Sequence, residues 1–186
     1  LGLKYRKENN MTQEYKKLKL KDLCARLPYK VLCHINGDDT NTPRELSRIE
    51  VDELDGILLD FWTDREDYLS IQVYLSEVKP YLRQMSSMTE EEAKEIAILH
   101  NIKDILSVKV TSDYIDVIFD DGVCSTETRT IWYDELISSI EIFDWLNAHY
   151  FDYRGLIEKG LALEATEGMY IMETKKRSKL KVYEKD

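Results

Sequence analysis

A chain of 186 residues, 43% hydrophobic and 33% charged, is long enough for one packed core without a disulfide or metal staple. Its formal charge of −10 is unevenly spread: residues 1–21 hold seven Lys or Arg against two Glu, residues 171–186 six against three, and the stretch between carries 13 basic and 31 acidic side chains, a charge of −18. A field of that sign repels nucleic acid and anionic membrane and attracts basic partners, and the lack of any apolar run of about 18 residues excludes a membrane-spanning helix.

Residues 1–15 read as a basic extension, 16–170 as the acidic folded body and 171–186 as a basic tail. The start is basic but has neither an apolar core nor a small-residue cleavage pattern, so no signal peptide is read and a cytoplasmic setting is expected. Met11-Thr12-Gln13 would make an ordinary start, so residues 1–10 are expected to be either an upstream extension or a remnant foreign to the native chain. Cys24, Cys33 and Cys124 are odd in number and far apart, which suits a reducing compartment better than a disulfide framework.

Leu20, Leu23, Cys24 and Leu27 recur at helical spacing and predict a short amphipathic helix that Pro28 ends. A strand follows over 31–35, stopped by Asn36-Gly37-Asp38-Asp39, and β-like runs cover 46–51, 56–62 and 71–75 between acidic turns, so this half reads as a meander. Thr89 opens a helix running to about His100, because its oxygen can accept the Glu92 amide while the Glu92 carboxylate reaches back to the Thr89 amide. Met88 and Ala93 occupy the staple positions around that cap. Residues 105–110, 114–119 and 123–133 predict strands, with Ile115, Val117 and Phe119 on one face of a hairpin turned by Asp120-Asp121-Gly122. Ser138 and Glu141 form a second possible capping box, for a helix with Ile140, Phe143, Leu146 and Tyr150 along one side. Asp152 is placed to cap a shorter helix through Leu156 and Ile157 that stops at Gly160. Strands dominate the centre, so the expected fold class is α+β, a single domain with an antiparallel sheet and a few short helices packed on it.

A nucleophile needs a base within reach and a group to orient that base, and three histidines are available. His34 shares a strand with Cys33, so the two point to opposite faces and packing is the better reading. His100 falls near a helix end, where an imidazole interacts with the last carbonyls. His149 and Asp152 could hydrogen-bond across a helix junction and tune the imidazole as a base, although capping of that junction is the simpler role. Asp120-Asp121 could hold Mg²⁺ or Ca²⁺, but Asp-Gly is also a preferred hairpin turn and no glutamate follows at an EF-hand interval. Asp64, Glu66 and Asp67 read as a solvated loop, and the stretch from Gly155 to Gly160 lacks the Ser or Thr of a phosphate loop after Lys159. No catalytic residue, metal ligand or cofactor is therefore assigned. Aromatics concentrate around Trp145, Tyr150 and Tyr153 beside Arg154, residue types enriched at contact surfaces, and these four are the candidate interaction surface; a tyrosine-capped core is the alternative.

Two stretches, VKPYLRQMSSMTEEE at 78–92 and FDWLNAHYFDYRGLIEKGLALEA at 143–165, resemble a family of uncharacterised proteins encoded by phages and mobile elements of gut anaerobic bacteria. The resemblance spans about 18–170 and omits both ends. It implies a small accessory protein in an intracellular setting, and carries no activity, cofactor or catalytic residue to this chain.

Charge and the empty motif search together predict a non-enzymatic interaction protein that binds a basic protein partner, in a sharper version as a nucleic-acid mimic whose carboxylates copy phosphates. Nucleic acid itself is expected only at the basic tails, and no membrane partner is expected. The alternative is a metal-dependent enzyme acting on a nucleotide or phosphoester, which requires Asp60, Asp116 and Asp120 to converge on one divalent ion.

Overall fold

The computed structural model describes residues 11–38, 40, 42–52, 56–62, 71–123, 125–136 and 139–170. The tails read as basic, the Asp64–Asp67 loop, Cys124 and Ser138 lie outside the described residues, apart from the start of the first helix. There Thr12, in extended conformation, offers its hydroxyl to the Tyr15 amide and opens helix α1 (Gln13–Arg26), three residues before the expected edge of the folded body. Pro28 stops it as predicted, within a 3-10 turn that ends on Lys30 at φ 59°. The buried face of α1 is Lys19, Asp22, Leu23 and Arg26, whereas Cys24 is exposed. The helix is thus rotated from the face that its leucines predict, and it turns charged groups inward.

Strands β1 (Leu32–Ile35), β2 (Arg44–Asp52), β3 (Gly56–Phe61) and β4 (Ile71–Tyr74) form the expected antiparallel meander. A strand absent from the sequence reading, β5 (Val78–Leu82), pairs with the free side of β1 and sets Cys33 opposite Pro80. Proline argues against an inner strand because it has no N–H to donate. Here the Asn36 amide bonds the Glu77 carbonyl at 2.8 Å, so the alternation of the ladder leaves Pro80 at a position that exchanges no bond with β1. On its other side, the short strand β9 (Leu163–Glu164) begins pairing in parallel only at Tyr81, one residue past the proline. Spatial order in this mixed sheet is β4-β3-β2-β1-β5-β9.

A second, antiparallel sheet holds β6 (Ile105–Val110), β7 (Tyr114–Asp120) and β8 (Thr126–Trp132) in that order. Ile115 and Val117 are buried and Phe119 packs against them, as the alternation predicts. The β7–β8 connection is longer than a two-residue turn: Asp121 accepts the Val123 and Ser125 amides and the Ser125 hydroxyl, while Gly122 supplies the left-handed position at φ 74°.

Two helices cover this sheet. Helix α2 (Glu90–Leu99) carries the predicted capping box, with Thr89 Oγ1 accepting the Glu92 amide at 3.2 Å and Glu92 Oε2 accepting the Thr89 amide at 2.9 Å. Helix α3 (Ile140–Ala148) is capped by Ser139, one residue after the expected cap, and buries Ile142, Leu146 and Asn147. Ile140 is therefore on the outside, 66% exposed. The expected helix after Asp152 is a series of hydrogen-bonded turns, held by the Asp152 carboxylate on the Leu156 and Ile157 amides and closed at Gly160. Three helices and nine strands so make a single α+β domain among the described residues. No helix among them is long and apolar enough to cross a membrane.

Candidate functional site

Trp145, Tyr150, Tyr153 and Arg154 lie around the end of α3 but divide between two cores: Trp145 and Tyr153 pack against that of the three-stranded sheet, and Tyr150 belongs to that of the six-stranded sheet. Tyr150 takes φ 62°, which breaks the helical phase and swings its ring toward the six-stranded sheet. It is 3% exposed, stacks on Tyr170, and donates its hydroxyl to the Tyr29 carbonyl. Tyr153 donates to Asn147 Oδ1 at 3.0 Å, and Arg154 lies over the rings of both Phe143 and Tyr153. Trp145 stacks on His149 and donates its indole N–H to Glu95 at 2.8 Å. The cluster is a junction whose polar groups are engaged within the chain, and Tyr150 offers no surface.

Beneath it lies a polar network that sequence reasoning missed. Arg26 makes two bonds to Asp22, at 2.8 and 3.1 Å, and a third to the Phe151 carbonyl, while Arg154 reaches the same carboxylate at 3.1 Å. Lys19 is buried on the same face and donates to the Leu75 carbonyl. One carboxylate thus serves two guanidinium groups, and Arg26 Nη1 is buried without a hydrogen-bond partner among the described residues. The only local signal was the i, i+4 spacing of Asp22 and Arg26.

A cavity of about 170 Å³ opens beside the junction, lined by Arg83, Glu92, His149, Tyr150, Met169 and Tyr170 among others. Arg83 sits 4.2 Å from the Phe151 ring centre and holds both Glu92 oxygens, at 2.6 and 2.8 Å. The Glu92 carboxyl is held below its ordinary range: burial works against ionisation, but the hydrogen bonds from Arg83 and Thr89 and the Arg83 charge outweigh it. His149 Nδ1 donates to the Trp145 carbonyl at 2.8 Å. Asp152 is engaged by amides, so the His149–Asp152 pair considered from sequence is not formed. The last carbonyls of α2 are served by the His100 backbone amide, which donates to Ile96 at 3.0 Å, and not by its imidazole: Nε2 is buried without a partner among the described residues, and burial together with Arg129 lowers its pKa.

The acidic alternative needs three carboxylates to meet, and they do not. Asp60 is buried in β3, bound by Arg48 at 2.6 Å, in a different sheet from the others. Asp116 accepts the Thr130 hydroxyl and Asp120 the Gly122 amide. Among the described residues no group of three or more His, Cys, Asp or Glu side chains is placed to hold a metal ion.

What remains open is the outer surface of the helical layer. Glu91, Glu95 and Ile98 lie on successive exposed turns of α2, and Ile140, Glu141 and Asp144 on the exposed side of α3. Glu92 and His149 line one cavity and Glu95 bonds Trp145, so the helices run antiparallel and Ile98 falls level with the first turn of α3. Compared with protein-family models, with curated proteins and with solved structures, the chain finds no match in any of the three.

Proposed function

We propose that this chain is a non-enzymatic interaction protein that engages a basic protein partner through the acidic outer face of α2 and α3. One contrast carries the proposal. Arg26, Arg44, Arg48, Arg83 and Arg154 are each bound to a carboxylate within the fold, whereas Glu91, Glu95, Glu141 and Asp144 enter no ion pair among the described residues. Internal pairing consumes arginines in a body that has few basic groups, and it leaves these carboxylates to face solvent around two exposed isoleucines, Ile98 and Ile140. Acidic groups around apolar ones suit a partner with lysine or arginine flanking an apolar patch, with charge setting the encounter and apolar burial the residence time.

The test starts with capture of partners from a lysate, followed by affinity measurement on the purified candidate over a salt series. A basic partner whose affinity falls with salt, and falls further for E91Q/E95Q/E141Q/D144N, supports the proposal. Equal affinity for that variant, or indifference to salt, overturns it. Competition by DNA would identify the partner's surface as one that also binds nucleic acid.

A further inference from the structure

We propose that β8 is a dimerisation edge, and that two copies of the chain pair antiparallel along it in a register centred on Thr128. β8 is an edge of its sheet and every residue in it but Ile131 is exposed. Native edges are usually blunted by a bulge, a proline or charged side chains on the edge, lysine above all. The opposite edge, β6, follows that rule with a register shift after Ile105 and with Lys109. β8 has no bulge, proline or lysine, its two charges, Glu127 and Arg129, are of opposite sign, and it keeps seven consecutive pairs with β7.

The direction of its free hydrogen-bonding groups follows from the ladder. The Tyr133 amide bonds the Asp113 carbonyl at 3.0 Å and the Asp121 amide bonds the Ser125 carbonyl at 3.2 Å. With the register between them unbroken, the odd-numbered residues of β8 exchange bonds with β7. Thr126, Thr128, Thr130 and Trp132 therefore turn their N–H and C=O groups outward. A second β8 can use them only by setting its own even-numbered residues opposite.

Three central registers satisfy that condition, and charge separates them. One places Glu127 opposite Glu127 of the second copy, and another places Arg129 opposite Arg129. The register centred on Thr128 places Glu127 opposite Arg129 twice, at non-hydrogen-bonded positions where cross-strand side chains approach most closely. Both side chains are exposed in the single chain, and neither is in an ion pair among the described residues. The same two-fold axis carries exposed Trp132 of each copy to the end of the other that bears exposed Val123. The self-complementary order of Glu127 and Arg129 points to a second copy of this chain as the occupant, since a foreign strand has no reason to match it.

Sedimentation equilibrium on the full chain, over a concentration series, tests the register as well as the edge. The wild type should show a dimer. R129E and E127R each place like charges opposite twice and should weaken dimerisation by roughly tenfold or more. The double variant E127R/R129E should restore it. T128P removes a central outward amide without touching the β7 ladder and should abolish the dimer. A wild type that stays monomeric overturns the proposal, as do single variants that dimerise normally or a double variant as weak as the singles.

Discussion

Tyr150 and Tyr170 lie face to face, with ring centres 3.6 Å apart and planes 11° from parallel. Their hydroxyls bond main-chain carbonyls of residues on either side of β1, Tyr29 for Tyr150 and Tyr81 for Tyr170. Tyr170 also accepts the Leu32 amide at 3.3 Å, and burial raises its phenol well above the ordinary tyrosine range. The stack fastens the turn after α3 and the last described turn onto the six-stranded sheet.

Tyr170→Phe keeps the stack and removes one hydroxyl that serves both Leu32 and Tyr81. Two main-chain groups then lose their partner in a partly buried site, which costs about 1–3 kcal/mol. Urea unfolding should show that loss as a lower midpoint with an unchanged slope. Tyr150→Ala also removes the ring, and its loss should reach about 3–5 kcal/mol.

Asp22 is the only carboxylate in contact with Arg26 and Arg154 among the described residues, and Lys19 shares its buried face. Asp22→Asn keeps the shape but leaves two guanidinium groups without a counter-charge. A buried pair broken from one side costs about 3–5 kcal/mol. A loss below about 1 kcal/mol in chemical unfolding would show that α1 is held by Leu23 packing instead.

The elements that were legible from sequence are those whose signal is local. Period-two alternation marks Ile115, Val117 and Phe119, and the Thr89–Glu92 box marks the start of α2, because each depends on neighbours a few residues away. β5 was hidden by Pro80, whose tolerance depends on where a ladder with distant Leu163 begins. The faces that α1 and α3 bury differ from those their apolar periods predict for a related reason. Arg26 and Asp22 are buried because Phe151 and Arg154 come to them from more than a hundred residues away, and no helical period carries that information. At the junction, the density of aromatics offered Trp145, Tyr150, Tyr153 and Arg154 as a contact surface or else as a tyrosine-capped core. Their inward direction follows from the left-handed Tyr150, a backbone state that composition does not reveal.

Glu92 links the cap of α2 to the junction, since it bonds the Thr89 amide and both nitrogens of the Arg83 fork. Thr89→Ala removes only the cap and should cost about 1 kcal/mol. Glu92→Gln loses charge on the Arg83 side as well, where the pair is partly buried, and should cost about 2–3 kcal/mol. A double-mutant cycle with Arg83→Met isolates that coupling, and additivity of the two single losses would show that the pair contributes nothing of its own.

Lys19 gives the fold an alkaline signature. Its ammonium donates to the Leu75 carbonyl at 2.8 Å, yet burial lowers its pKa from 10.5 to about 8. The fold therefore releases this proton near pH 8, while the unfolded chain holds it to about 10.5. Between those values the unfolded state binds more protons, so stability rises with pH, by about 3 kcal/mol if nothing opposes it. Burial of several thiols and phenols opposes it, and Cys33 and Tyr170 are the most buried of these groups. Burial pushes the Cys33 thiol far above its ordinary 9.0, so from that pH the unfolded chain loses a proton that the fold keeps, and stability falls. Tyr170 adds the same trend above its ordinary 10.0. The Lys19 gain is therefore clear only between about pH 8 and pH 9, and urea midpoints should rise across that interval and level off or fall beyond it. Lys19→Met should remove the rise, and Cys33→Ala should extend it to higher pH. Persistence of the rise in Lys19→Met would assign it to another group and leave the buried ammonium without a part in the stability of the fold.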